Sequence, residues 1–300
     1  RGWLKVQDGC DRKCAFCATR LARGASRSRP LAEVVSEARL LASQHPEIVV
    51  TGIHIGHYGI DLPAPERSSL SRLVEALLEA LPGIRIRLGS VEATEVDDRL
   101  LSLLVEAEGQ LAPHLHMPLQ SGADPVLRRM RRWHTRAAYR SRALAIAAAV
   151  PRLGLGADVI TGFPGETEED HAATRSLIDE LPFTYLHVFP YSPRNGTVAA
   201  DYDNPVPQRV AGERARELRE LAQAKGRAYV GARVGEEVQV VPEGKGFGLT
   251  EDYLRVAVRG LEPGHGSHHR TSLLRATLQN DQEGPYIEAP AGQLSQSSAP

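Results

Sequence analysis

The chain has 300 residues, more than one common domain needs, so it is one large α/β domain or a medium domain with a small companion. Hydrophobic residues make up 42% and charged residues 24%, values of a globular chain that exclude a disordered or fibrous one. A formal charge of −1 gives no global field toward nucleic acid, so any such contact must come from local patches. The longest apolar run, near Ala143 to Val150, is too short to span a bilayer, and Arg1-Gly2-Trp3 is no secretory signal, which points to a cytoplasmic protein.

From Trp3 to about Arg233, short apolar runs alternate with amphipathic stretches, the pattern of parallel strands joined by helical crossovers. Six units are expected. The strands are Leu4 to Gln7, Ile48 to Thr51, Ile84 to Leu88, Leu115 to Leu119, Ala157 to Thr161 and Tyr185 to Phe189. A helix after Pro30 is marked by Leu31, Val34, Val35, Ala38, Leu41 and Ala42. Further helices are expected over Leu70 to Leu81, Asp97 to Glu108, Arg136 to Val150, Glu168 to Leu181 and Pro207 to Ala228. Each strand runs into a polar or Gly-rich cluster, and in a parallel barrel all such segments converge on the C-terminal rim. Six units make an open, partial barrel, expected over residues 1–230. Beyond it, period-two alternation at Glu237 to Val241 and Tyr253 to Arg259 predicts a small all-β module over 231–291, five-stranded and OB-like. The Gln/Ser/Pro-rich end, 292–300, reads as a disordered tail.

The only cysteines, Cys10, Cys14 and Cys17, are spaced C-x3-C-x2-C and have no distant partner for a disulfide. They read as metal ligands. Three thiolates on one loop can hold three irons of a [4Fe-4S] cluster and leave the fourth open to a small molecule. The competing reading is a structural zinc, which would need His54 or His57 as fourth ligand.

Beyond these cysteines, the segments QDGCDRKCAFCATRLARGASRSRP, VVTGIHIGHYGIDL, HLHMPLQSGADPVLRRM, DVITGFPGETEED and FTYLHVFPYSPRNGT, in this order, resemble the radical S-adenosylmethionine (SAM) methylthiotransferases. The branch most alike acts on N6-threonylcarbamoyladenosine next to the tRNA anticodon. The resemblance covers about residues 3–230, and more weakly likens the β module to the family's TRAM domain. It implies a radical SAM partial barrel with two cofactors, a [4Fe-4S] cluster on Cys10, Cys14 and Cys17 and SAM on the open iron. One SAM gives the 5′-deoxyadenosyl radical that takes hydrogen from C2 of adenine, and another donates methyl to the inserted sulfur. Implied partners are tRNA and an electron donor such as flavodoxin or ferredoxin. The family carries a second [4Fe-4S] cluster on an additional N-terminal domain; this chain holds no ligands for it, so a catalytic fragment is expected.

By position in the motifs, Phe16 beside the third sulfur, Thr51 and Gly52 after the second strand, Glu92, Gln120 and Asp158 are the candidate SAM contacts. Glu92 and Asp158 compete with ordinary roles as a solvated loop charge and a structurally paired carboxylate. His54, His57, His114 and His116 receive no role. Two basic runs, Arg20/Arg23/Arg27/Arg29 and Arg128/Arg129/Arg131/Arg132 beside Trp133, can hold tRNA phosphates or form solvated helix faces. Alternatives to the threonylcarbamoyladenosine reading are methylthiolation of isopentenyladenosine in tRNA or of a ribosomal-protein aspartate, and a noncatalytic RNA-binding protein built on zinc.

Overall fold

The computed structural model describes residues 1–260 and 272–290; the expected tail at 292–300 lies outside them. The first unit holds β1 (Gly2–Lys5), β2 (Gln7–Asp8), α1 (Thr19–Arg23), β3 (Arg27–Ser28) and α2 (Leu31–Ala42). There follow β4 (Glu47–Thr51), α3 (Leu70–Ala80), β5 (Arg85–Leu88), α4 (Asp98–Glu106), β6 (His114–His116), α5 (Asp124–Arg129) and α6 (Arg136–Ala149). The barrel ends with β7 (Gly154–Thr161), α7 (Glu168–Glu180), β8 (Tyr185–Pro190) and α8 (Gln208–Arg233).

All pairings among β1, β4 and β5, and among β6, β7 and β8, are parallel. The two triplets are joined by parallel bridges from Ile86 to Leu111 and Ser90 to His116, giving the order β1-β4-β5-β6-β7-β8. This is the six-unit open barrel the sequence predicts, with β1 and β8 at its two edges. Alternate strand residues such as Leu4, Ile48, Val50, Ile86, Leu155 and Val159 are buried in the core that the crossover helices cover. The helices start where short polar side chains cap them. Ser69, Asp97 and Thr135 accept from the N–H groups of Arg72, Leu100 and Ala138, and Thr167 forms a reciprocal capping box with Asp170.

Two strands differ from expectation. The first is broken at Val6, whose N–H goes to Thr51 O, and Gln7–Asp8 leaves the barrel to pair antiparallel with β3. The fourth ends at His116 because Pro118 has no N–H to donate, although Leu119 and Gln120 both return N–H groups to Asp158 O. The short helices α1 and α5 give too few turns for a periodic signal.

The C-terminal module comprises β9 (Glu237–Gly244), β10 (Phe247–Leu249), β11 (Arg255–Arg259), β12 (Leu274–Thr277), β13 (Gln279–Asp281) and β14 (Gly284–Glu288). Its order is β12-β9-β10-β11-β14-β13, so the described residues hold six strands where five were expected. The extra strand is β13, whose Gln-Asn-Asp sequence carries no alternation to read. Val238, Val240, Val256, Val258, Leu274 and Ile287 form the module's own core.

The module is seated against the N-terminal end of the barrel strands. Glu47, Arg85 and Arg87, all almost fully buried, form a charged layer there: both guanidinium groups donate to the carboxylate, at 2.5 Å from Arg85 and 2.9 Å from Arg87. The same arginines reach across to the module and donate to Gln239 O, Thr250 O and Glu251 O at 2.8, 2.8 and 3.0 Å. Tyr253 stacks on His114 with ring centroids 4.2 Å apart, and Asp252 is buried against the Arg233 guanidinium. Among the described residues no helix is long and apolar enough to cross a membrane.

Candidate active site

Between β2 and α1 the chain forms a loop at the C-terminal rim, and that loop carries all three cysteines. Gly9 opens it at φ +70°, and a Cβ there would lie 1.9 Å from Ala25 O, so only glycine fits. Gln7, 1% exposed, ties the loop down: its side-chain amide donates to Gly9 O at 2.7 Å and Ser26 Oγ at 2.9 Å, and accepts from the N–H groups of Ile53 and His54. Cys10 N–H is bonded to Gly24 O and buried Ala15 N–H to Met130 O, while Cys17 N–H turns back to Cys14 O. The thiols themselves are partly exposed.

Each sulfur has a hydrogen-bond donor of its own. Cys10 Sγ accepts from Arg12 N–H at 3.4 Å and lies 3.6 Å from His54 Nδ1. Cys14 Sγ accepts from the Arg132 guanidinium at 3.6 Å, and Cys17 Sγ from Thr19 N–H at 3.4 Å. Burial pushes the Cys10 thiol up, but the His54 and Arg12 contacts bring it below its ordinary pKa. For Cys14, burial wins over the nearby Arg132 and the thiol is raised.

Behind the loop stands a network that sequence reasoning missed. Glu95 accepts from His54 Nε2 at 2.8 Å and from Arg12 at 3.2 Å, with His57 Nε2 also 3.2 Å away. Burial alone would lower His54, but its contacts with Cys10 and Glu95 raise it to about 9. Trp133 is sandwiched between the guanidinium groups of Arg12 and Arg132, at 3.9 and 4.2 Å from its ring centroid. The only signal for this in the sequence is a set of histidines and arginines flanking the motifs, and each taken singly reads as an ordinary structural or surface residue.

The predicted contacts fall as follows. Phe16 packs edge-on to Phe163 at 6.4 Å, joining the cysteine loop to the turn after β7. Thr51 ends β4 at the rim, and Gly52 follows it where a Cβ would meet Gln7 O at 2.8 Å, so close backbone approach accounts for this glycine. Glu92 is 8% exposed and paired with Arg132. Gln120 has φ +66° and bridges into β7 through Asp158 O and Ile160 N–H. Asp158 lies within β7 and accepts from His116 and His187, which answers the expected cost of an unpaired carboxylate. Of the two basic runs, Arg132 is corrected: it is buried on Glu92 and Cys14 and cannot hold a phosphate. Arg129 donates to Pro164 O, while Arg128 and Arg131 remain exposed.

The donor set fits an iron–sulfur cluster better than a mononuclear zinc. His57 converges with Glu95, and the His54 ring is shared between Glu95 at Nε2 and Cys10 at Nδ1, so the histidine that zinc would need as fourth ligand is already engaged by Glu95.

Comparison with known proteins agrees with this geometry. The family model of the radical SAM superfamily matches residues 4–178. The threonylcarbamoyladenosine tRNA methylthiotransferase MtaB of Bacillus subtilis is 36% identical over 299 residues, covering 96% of this chain and 65% of that one. The tRNA-2-methylthio-N(6)-dimethylallyladenosine synthase of Sorangium cellulosum is 39% identical over 257 residues, covering 81% and 51%. The chain thus spans between half and two thirds of the length of these relatives. Among solved structures, methylornithine synthase (PylB) shares the fold at a TM-score of 0.50 and 14% identity, covering 75% of this chain and 62% of that one. With its three cysteines on the first rim loop of an open βα barrel, the chain belongs to the radical SAM superfamily.

Proposed function

We propose that the chain is the catalytic part of a tRNA methylthiotransferase that modifies N6-threonylcarbamoyladenosine beside the anticodon. The observation that carries the reading is the rim loop itself: three thiols, each with its own hydrogen-bond donor, at the C-terminal mouth of an open βα barrel. On this reading Cys10, Cys14 and Cys17 hold three irons of a [4Fe-4S] cluster, and SAM binds the fourth. Bound together, they supply one-electron cleavage of SAM and hydrogen abstraction from the substrate.

The chain's own residues bind, orient and shield. Arg132 and His54 direct N–H groups at the cluster sulfurs, and Glu92 and Glu95 fix those two donors in place. Phe16 and Phe163 cover the loop with an apolar wall that keeps water from the reacting centre. Thr51, Gly52 and Gln120, at the C-terminal ends of their strands, would take the methionine and adenosine parts of SAM, and Gln120 has the left-handed backbone often found at ligand sites. The β module corresponds to a TRAM domain, and flavodoxin or ferredoxin is the electron donor, in the cytoplasm.

The threonylcarbamoyl substrate is favoured because relatives so named in Bacillus subtilis, Rickettsia prowazekii and Treponema pallidum match at 36–38% identity over 85–96% of the chain. Mass spectrometry of tRNA nucleosides from a strain lacking the gene decides between it and isopentenyladenosine. The expected result is loss of 2-methylthio-N6-threonylcarbamoyladenosine, restored by the gene. Normal levels of that nucleoside, with loss of the methylthiolated isopentenyl form, would transfer the assignment to the other substrate.

A further inference from the structure

The barrel lumen contains a hydrogen-bonded chain of side chains that ends on Asp158, a residue whose motif position had suggested a SAM contact. His114 Nε2 lies 2.8 Å from Tyr185 Oη, which lies 3.1 Å from His116 Nδ1. His116 Nε2 is 3.1 Å from Asp158 Oδ1, and His187 Nδ1 is 3.2 Å from the same oxygen. The aromatic floor beneath exists because Gly156 has no Cβ, leaving room for the Tyr185 ring to cross β7.

Proton bookkeeping fixes the direction of this chain. His114 is buried, and burial together with nearby Arg87 keeps it neutral, so its ring carries one proton. Its Nδ1 has no partner, and a buried unpaired N–H is costlier than an unpaired lone pair. The proton therefore sits on Nε2 and is donated to Tyr185, whose hydroxyl donates to His116 Nδ1. That leaves the His116 proton on Nε2, pointing at Asp158. The opposite direction would strand a buried N–H on His114 and set a lone pair against a carboxylate.

Asp158 thus spends one oxygen on two histidine donors. Burial pushes its pKa up, but the His116 and His187 contacts take it below the ordinary value, so it stays ionised. Among the described residues no protein donor reaches Oδ2, and the side chain is 30% exposed. His187, exposed on edge strand β8, also lines a cleft of about 850 Å³ between that strand, α8 and the β13–β14 turn. The cysteines sit at the other edge of the sheet, beside β1. Asp158 is thus an ionised, partly exposed acceptor held rigidly by two histidines, one of which, His187, reaches the cleft.

We propose that Asp158 is a substrate-positioning residue whose free oxygen accepts the N6–H of the target nucleoside. This rests on the tRNA reading above. Asp158→Asn tests it, since the amide oxygen still accepts from the histidines while the free position becomes a donor. The probes are anticodon stem-loops carrying N6-threonylcarbamoyladenosine or its N6-methyl derivative, bound to the anaerobically reconstituted protein with SAM. Wild type is expected to bind the first RNA about 10- to 100-fold more tightly than D158N does, the worth of one hydrogen bond to a charged acceptor. The N6-methyl RNA should show no such difference, and SAM affinity should be unchanged. If D158N loses its fold by circular dichroism, His187→Ala at the exposed end takes its place, with a smaller loss of the same selectivity. Equal RNA binding by folded wild type and variant, or loss of SAM affinity instead, overturns the assignment alone. Wild type that binds neither RNA overturns the functional reading, and the assignment with it.

Discussion

Cys14→Ala is expected to abolish 5′-deoxyadenosine formation from SAM under reducing, oxygen-free conditions and to lower the iron and sulfide retained after reconstitution. Cys14 is the middle ligand of the rim loop, and no fourth cysteine in the chain can replace it. His57 converges on Glu95, and His54, which meets Cys10 at Nδ1, is held by Glu95 at Nε2, so neither takes the place of Cys14. The substitution also leaves the buried Arg132 guanidinium without its sulfur acceptor, although Glu92 still balances the charge, so the fold should survive. A variant with an unchanged melting curve and no nucleoside product is the expected outcome. Wild-type product formation would contradict the ligand role, whatever metal is found.

The second large effect concerns stability. Glu47 is fully buried between Arg85 and Arg87, and Glu47→Gln leaves two guanidinium groups in the interior without the carboxylate they are paired with. Breaking such a buried pair costs about 3–5 kcal/mol, which lowers the melting temperature on the order of 10 °C. Burial pushes the Glu47 carboxyl up, but Arg87 and Arg85 draw it below its ordinary value. A depressed folded pKa means the stabilisation is present above the unfolded carboxylate range and is lost as pH falls through the folded value. The gap between wild type and E47Q should therefore be full at neutral pH and narrow in acid. A gap that does not vary with pH would show that the charge of Glu47 is not what holds the layer. Because the same arginines bond to the carbonyls of the β module, the variant should loosen that module as well, read as faster amide exchange at Thr250 and Glu251.

Much of the architecture was legible because apolar spacing and rim clusters are local signals. The six strands and the helices between them follow from spacing within a dozen residues. The three cysteines were conspicuous for the same reason. What escaped was pairing over long distances. Ile84 to Leu88 reads as an apolar strand with two interrupting arginines, and only the approach of Glu47 and the module carbonyls explains why Arg85 and Arg87 point inward. Arg132 looked like one of a run of surface cations until Glu92 and Cys14, 40 and 118 residues away in sequence, were seen to enclose it. Gln7 ended an expected strand, yet its amide links the cysteine loop to the segment after β4. His116 and His187 were ordinary strand residues until pairing with β7 set His187 opposite Asp158 and His116 opposite Gly156, from which its ring reaches the same carboxylate.

The most direct test of this account is anaerobic reconstitution with iron and sulfide, followed by electron paramagnetic resonance of the reduced protein with and without SAM. The account predicts a reduced iron–sulfur signal that changes when SAM is added, reporting direct ligation at the iron the protein leaves open. A signal indifferent to SAM, or a preparation that takes up zinc and no iron, would contradict it.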